Sequence, residues 1–407
     1  MKQQSFADLG VSSAVVGALS RRGIEQPFPV QRLVLEDILA GRDVLVKSPT
    51  GSGKTLAFGI PLLERIDADE PSPVRPAALV LAPTRELASQ IVRELDAVAR
   101  ARGLRVTAVY GGVGLVAQAA KAAASHVLVA TPGRLEDLLR RRAFTLEAVR
   151  TLVLDEADRM LDIGFRPAID RIVKACPTAR QTLFFSATLE GVAGRVAAQY
   201  TNRAVRHESG TPGVSATTQV EHRFVAIRED RRIEALLAEL GRERERTLVF
   251  VRTKRGADRL VKRLGADGVH ALAIHGNKSQ RQREHALSRF QSGRVDTLVA
   301  TDVAARGIDV EGISHVINFH PPDDHEAYIH RIGRTGRAGR RGVGITLVAA
   351  EDRQEMSRLA RRLGLRHGLG DVAERERPRA PTSTRPPAGP RRARTRRRRR
   401  AAGATTA

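Results

Sequence analysis

Short apolar runs rich in β-branched residues recur along the chain, and each is followed by a stretch with helix-like spacing. In the first half they are DVLV (43–46), ALVLA (78–82), RVTAVY (105–110), HVLVA (126–130), TLVLD (151–155) and TLFFS (182–186). After residue 215 come HRFVAI (222–227), TLVFV (247–251), DTLVA (296–300), HVINF (315–319) and GITLV (344–348). Continuous apolar strands interleaved with helices predict parallel sheets buried on both faces. The pattern runs twice. HESGTPGVSATT (207–218) separates the two runs and carries Gly, Ser, Thr and Pro without periodicity, as a linker does. From about residue 368 the periodicity gives way to Pro, Arg and Ala, too polar a composition to order itself. The expected architecture is α/β, with tandem domains at 1–206 and 219–367, a linker at 207–218 and a disordered tail at 368–407.

Chemistry first attaches to the strand–loop–helix DVLVKSPTGSGKTLAF (43–58). Its centre, Ser48, Pro49, Thr50, Gly51, Ser52, Gly53, Lys54 and Thr55, fits a loop whose backbone N–H groups wrap phosphates. Glycine is needed there because side chains would block the approach. Lys54 would reach the outer phosphates and Thr55 a Mg²⁺ ion. A chance glycine turn before a helix is the plainer alternative, and the preceding buried strand argues against it. TLVLDEAD (151–158) places a carboxylate at the end of a second buried strand, where doubly wound sheets bind ligands. Asp155 is the natural Mg²⁺ partner, through water, and Glu156 would orient and deprotonate an attacking water. The same letters suit an acidic helix start; the phosphate loop upstream favours the ATPase reading.

Charge adds a partner. The formal net charge is +24, and residues 372–407 hold twelve Arg against two Glu, so the tail carries about ten of those charges. The body is basic in its own right, which predicts a polyanion, nucleic acid before membrane. Aromatics are few: no Trp, three Tyr and eleven Phe, none after Tyr328. Binding by base stacking is therefore disfavoured, and a grip on the sugar-phosphate backbone, strongly salt-dependent, is expected. One cysteine, Cys176, rules out an internal disulfide and fits a reducing compartment. With no signal-like N-terminus and no apolar span, a cytoplasmic location is the expectation.

The ordered motifs identify a family. SPTGSGKT is followed by PTRELA (83–88), GG (111–112), TPGR (131–134), DEAD (155–158) and SAT (186–188). The second half continues with LVFVRT (248–253), HGNKSQRQR (275–283), ATDVAARGID (300–309) and HRIGRTGR (330–337). Over about residues 6 to 350 the chain resembles the DEAD-box RNA helicases of superfamily 2. The resemblance implies two RecA-like domains and an RNA-stimulated ATPase. It places Gln31, in GIEQPFPVQ (23–31), as the adenine contact and Phe6 as a stacking aromatic. A glutamine amide donates and accepts at once, which favours ATP over GTP. Phe28 and Ser48 depart from the residues commoner in the family at those positions.

The resemblance also assigns RNA contacts: Thr84, Arg85, Gly111, Gly112, Thr131, Gly133 and Arg134 in the first domain, and Arg252, Gly276 and Thr301 in the second. Asp158, Ser186, Thr188 and His330 would couple ATP state to domain closure. Arg334 and Arg337 would be delivered to the phosphates on closure, and Asp309 to the ribose or the closure network. Arg331 falls to internal pairing or the closure relay. RNA would be bent in the closed cleft, separating strands locally without processive travel. The tail would tether structured RNA. A charge-driven RNA clamp without catalysis and a DNA helicase of the same superfamily are the alternatives.

Overall fold

The computed structural model describes residues 4–49, 51–67, 76–209, 220–305, 310, 312–336 and 340–365. Every apolar run named above forms a strand. In the first domain these are β1 (Val44–Lys47), β2 (Ala78–Leu81), β3 (Val106–Val109), β4 (Val127–Ala130), β5 (Thr151–Leu154) and β6 (Gln181–Ser186), joined by β7 (Val205–Glu208). They form one parallel sheet in the order β3-β4-β2-β5-β6-β1-β7. The second domain contributes β8 (Val220–Ala226), β9 (Arg246–Phe250), β10 (Ala271–Ile274), β11 (Thr297–Ala300), β12 (Ile313–Asn318) and β13 (Gly342–Val348). These are also all parallel, in the order β10-β11-β9-β12-β13-β8.

Successive side chains of a strand point to opposite faces, so each sheet feeds two cores. Ala78 and Val80 of β2 join one core with Val127 and Val129 of β4, while Leu79 and Leu81 join the other with Leu128 and Ala130. In the second domain Leu248 and Phe250 of β9 lie in one core and Val249 in the other. This two-sided burial is why the strands read as unbroken apolar runs.

Two strands carry no such run, and both lie at sheet edges. β7 (VRHE) pairs only with β1, and its residues alternate between half-buried and exposed. Its place is fixed by backbone pairing and by His207, whose Nε2 lies 2.6 Å from Asp37. His207 and Glu208 thus belong to the first sheet and not to the expected linker. β10 (ALAI) pairs only with β11 and is half alanine, a weak strand former. The linker beyond residue 209 and the tail lie outside the described residues.

Candidate nucleotide and RNA sites

Sheet order explains how distant motifs meet. β5, β6 and β1 are neighbours, and at their C-terminal ends stand DEAD, SAT and the phosphate loop. The other half of the sheet, β3-β4-β2, ends in Gly111–Gly112, in Thr131–Arg134 and in Thr84–Arg85. One half of a single sheet edge carries the nucleotide chemistry and the other half the RNA candidates.

The phosphate loop runs into the helix Lys54–Glu64, with Gly51 and Gly53 at φ 81° and 90°. Only glycine holds those angles without strain. Ser48 donates its N–H to the Ser186 carbonyl (2.9 Å), which ties the loop to SAT. Its Oγ lies 2.6 Å from Ser52 Oγ, and Ser52 Oγ also bonds the Pro49 carbonyl (2.9 Å). Lys54 is buried and donates to the Ser48 carbonyl at 3.1 Å, so its ammonium lies across the loop. Thr55 is half-buried on the first helical turn.

Asp155 and Glu156 are both buried. Burial pushes the Asp155 carboxyl up to about 7, against the pull of Lys54. A buried carboxylate short of positive charge suits a hard cation. Mg²⁺ fits, since it takes one or two protein oxygens and completes its shell with water and phosphate. Among the described residues no cluster of three His, Cys, Asp or Glu side chains could hold a metal unaided. Glu156 behaves oppositely. Burial would raise its pKa, but Arg159, Lys54 and Arg334 together hold it at about 2. Its backbone stands at φ 50°, ψ 51°, a left-handed conformation rare for glutamate, and Arg159 forms an ion pair with its Oε2.

Asp158 joins DEAD to SAT. Its Oδ2 accepts from the N–H groups of Ala187 (3.0 Å) and Thr188 (3.1 Å), while its own N–H donates to Ser186 Oγ (3.3 Å). From the second domain, His330 lies in the field of Arg159 and Asp158, and Arg334 in that of Glu156. Arg334 is buried and donates to the His330 carbonyl at 3.1 Å. Arg331 serves the interior of its own domain. It bonds Asp302 twice (2.6 and 2.7 Å), Asn318 (3.0 Å) and the His320 carbonyl (2.8 Å), over the Phe250 ring.

Among the RNA candidates, Arg85 and Arg134 converge on Gly111, and Gly112 turns at φ 88° against Arg85. Arg134 is held by the Val113 carbonyl (3.1 Å) and Gln118 (3.0 Å). Gly133 has open space where a side chain would stand. Thr84 caps the helix Arg85–Ala101 by accepting from the Leu87 N–H (3.2 Å), and Thr131 begins the helix Pro132–Arg140. In the second domain, β10, β11 and β9 are neighbours, and Gly276, Thr301 and Arg252 follow their ends. Arg252 is exposed, Gly276 faces Lys254, and Thr301 is buried at a helix start.

The two residues expected at the base are both buried. Phe6 is 2% exposed inside the first core. Gln31 is also 2% exposed, with its amide used internally. It accepts from the Phe28 N–H (2.8 Å) and donates to the Gly53 carbonyl (3.0 Å), closing a helix start onto the loop. Thr50, Asp309 and Arg337 lie outside the described residues. Three residues that the motifs did not single out prove central: Arg159, and the pair Glu86–Arg283 between the domains. Arg159 sits one turn after Glu156, a spacing that could have flagged it. Glu86 reads in sequence as a helix-dipole complement; it lies in PTRELA and Arg283 ends HGNKSQRQR, but the motifs do not say that the two pair.

A nucleotide loop needs no second sheet to bind phosphate. Here two parallel-sheet domains stand in tandem, with Arg334 of the second in the field of Glu156 of the first; the class is that of tandem RecA-like ATPases. The model for "DEAD/DEAH box helicase" matches residues 28–195, and that for "Helicase conserved C-terminal domain" matches residues 231–339. The chain belongs to the DEAD-box helicase family. It is 40% identical over 354 residues to the ATP-dependent RNA helicase CshA of Limosilactobacillus reuteri, covering 85% of this chain and 69% of that protein. Its identity to the DEAD-box ATP-dependent RNA helicase CshA of Bacillus subtilis is 39% over 352 residues, covering 86% and 70%. Among solved structures, S. cerevisiae Dbp5 bound to RNA and ADP BeF3 is similar at TM-score 0.80 and 28% identity, covering 89% of this chain and 94% of that one. No helix among the described residues is long and apolar enough to cross a membrane.

Proposed function

We propose that this protein is an ATP-dependent RNA helicase that couples ATP hydrolysis to RNA binding and local, non-processive strand separation. The observation that carries the reading is geometric: the phosphate loop, DEAD and SAT stand at the ends of the neighbouring strands β1, β5 and β6, and the second domain is joined to the first by the Arg283–Glu86 pair at 2.8 Å. ATP would lie on the loop with its outer phosphates at Lys54. Thr55 and Asp155 would hold Mg²⁺, which neutralises phosphate charge when bound. Glu156 would orient the attacking water and relay its proton. The new bond forms from water oxygen to the γ-phosphorus, the bond to the leaving ADP oxygen breaks, and the proton passes to the phosphate. Arg334, joined by Arg337, would stabilise charge developing on the transferred group.

Asp158 and Thr188 would pass the state of the site to the domain junction through their hydrogen bonds, with His330 as the second-domain partner. RNA would lie along the ends of β3-β4-β2 and β10-β11-β9, gripped by its backbone. The basic tail would tether structured RNA, and the protein would act in the cytoplasm. ATPase rate with and without RNA, for wild type and Glu156→Gln, tests the reading. Strong RNA stimulation abolished by the substitution is expected. Turnover indifferent to RNA would overturn it, and equal stimulation by a DNA oligomer would move it to DNA.

A further inference from the structure

The helix Pro132–Arg140 begins at the RNA edge, with Thr131, Gly133 and Arg134 in its first turn, and ends in a strained one. Arg142 stands at φ 55° and donates its N–H to the Leu139 carbonyl (2.9 Å), while Ala143 donates to that of Leu138 (3.1 Å). This pair of bonds closes a helix through one left-handed residue, where glycine is favoured because a Cβ is strained. Among the described residues six other helices close with the same two bonds, on Gly23, Gly41, Gly103, Gly164, Gly268 and Gly364. The helix that leaves the RNA edge has arginine there instead. Its turn is held in place: Phe144 (4% exposed) and Leu146 (1%) anchor the following chain in the core that also takes Leu135 and Leu138.

Strain kept at a fixed turn points to a use for the side chain. Arg140, Arg141 and Arg142 are consecutive and exposed. Arg140 pairs with Asp137 (2.5 Å), whereas Arg141 and Arg142 have no carboxylate partner among the described residues. Basic residues at a helix end also complement its dipole, but glycine at 142 would leave Arg140 and Arg141 to do that without strain. The nine residues of the helix, at ~1.5 Å each, put the turn about 13 Å from the RNA edge. We propose that Arg141 and Arg142 form a second RNA contact outside the cleft, holding backbone phosphates of a duplex that flanks the bound strand. A guanidinium matches phosphate with a planar fork and reads no sequence. The preferred substrate is therefore a single strand joined to a duplex. The inference rests on the RNA-edge reading above and extends it along this helix.

The test measures binding to the full chain by fluorescence anisotropy, with Mg²⁺ and a non-hydrolysable ATP analogue. Two labelled RNAs are compared: a single strand long enough only for the cleft, and the same strand joined to a hairpin. Arg141→Gln with Arg142→Gly should weaken the hairpin RNA roughly tenfold and lower its salt slope by about 1.4–1.8, the effect of two phosphate contacts. The single strand should bind as it does to wild type. Arg141→Lys with Arg142→Lys keeps both charges and should retain most of the hairpin affinity. Arg142→Gly alone should raise Tm while weakening the hairpin RNA, because relief of the left-handed strain and loss of a contact have opposite signs. Unchanged hairpin affinity in the Gln/Gly variant overturns the proposal, and so does an equal loss for both RNAs. A lower Tm in Arg142→Gly overturns it too, since the arginine would then serve the fold. Arg134→Ala must weaken both RNAs. If it weakens neither, the RNA edge is misplaced and this contact falls with it, an outcome distinct from failure of the turn alone.

Discussion

Nη2 of Arg283 lies 2.8 Å from Oε2 of Glu86, across the two domains, and both side chains are less than 10% exposed. Burial raises the Glu86 pKa and lowers that of Arg283, each against the partner's pull, so desolvation outweighs the attraction for both. Neither Glu86 oxygen gains an aligned hydrogen bond. Such a pair adds little net stability, yet removing one member strands the other. Glu86 follows Arg85, so the pair joins the RNA edge of the first domain to the helix Gln280–Gln291 of the second. Arg283→Met should raise the RNA concentration for half-maximal ATPase by at least roughly tenfold, from a loss of a few kcal/mol on closing. Glu86→Met with Arg283→Met should recover most of it. RNA titrations of ATPase in a double-mutant cycle check this; a double variant as poor as the single one would remove the pair from closure.

His330 gives closure a pH dependence. Burial and then the Arg159 guanidinium depress its pKa, while Asp158 partly opposes them. Freed of Arg159 in separated domains, the imidazole would titrate closer to its ordinary value of about 6.5, though Arg334 of its own domain still lowers it. Closing therefore expels a proton. The closed form keeps its full stability above about pH 6.5 and loses it as pH falls towards the depressed value. Energy transfer between dyes on the two domains, with ATP and RNA present, should decline from about pH 7 to 5.5. His330→Gln should flatten that decline. An identical profile in the variant would assign the effect to other groups, Asp155 first among them.

How much of this was legible depended on what each residue type announces. The strands showed because of their apolar, β-branched runs; β7 and β10 did not, because β7 (VRHE) is polar and alternates half-buried with exposed positions, and β10 (ALAI) is half alanine. The phosphate loop and the carboxylates showed because glycine and paired acids have few other uses at strand ends. Spacing says nothing of exposure: Phe6, 25 positions before Gln31, is packed in the first core, which the sequence did not announce. Glu86–Arg283 joins residues 197 positions apart, and neither side chain hints at the other in sequence.

Substitution of Gly112 should separate the proposed RNA grip from the nucleotide grip. Its φ of 88° excludes most side chains, and an added Cβ would collide with the Arg85 guanidinium. Gly112→Ala should displace Arg85 and strain the turn by about 1 kcal/mol. RNA affinity without nucleotide should fall roughly fivefold or more, while ATP affinity stays at the wild-type value, since the loop lies on the other half of the sheet. Fluorescence anisotropy with labelled RNA and calorimetry with ATP measure the two. A loss of ATP affinity equal to that for RNA would show that the turn supports the whole domain and not the RNA edge.

Arg331 and Arg334 share a three-residue beat but not a task, and conservative substitution should part them. Arg331 makes four hydrogen bonds to Asp302, Asn318 and the His320 carbonyl, and its guanidinium lies 5.1 Å from the centre of the Phe250 ring. Lysine cannot reproduce that planar fork. Arg331→Lys should cost about 2–4 kcal/mol, the scale of breaking a buried charged network, and lower Tm by several degrees. Arg334 donates to the His330 carbonyl and faces Glu156 on the other domain. Arg334→Lys, which keeps the charge but not the planar fork, should reduce RNA-stimulated ATPase by at least roughly tenfold and lower Tm by less than Arg331→Lys does. Thermal melts paired with ATPase rates decide it. Were the outcomes exchanged, with Arg334 carrying stability and Arg331 turnover, the division of labour within the HRIGRTGR segment would be the reverse of the one drawn from its contacts.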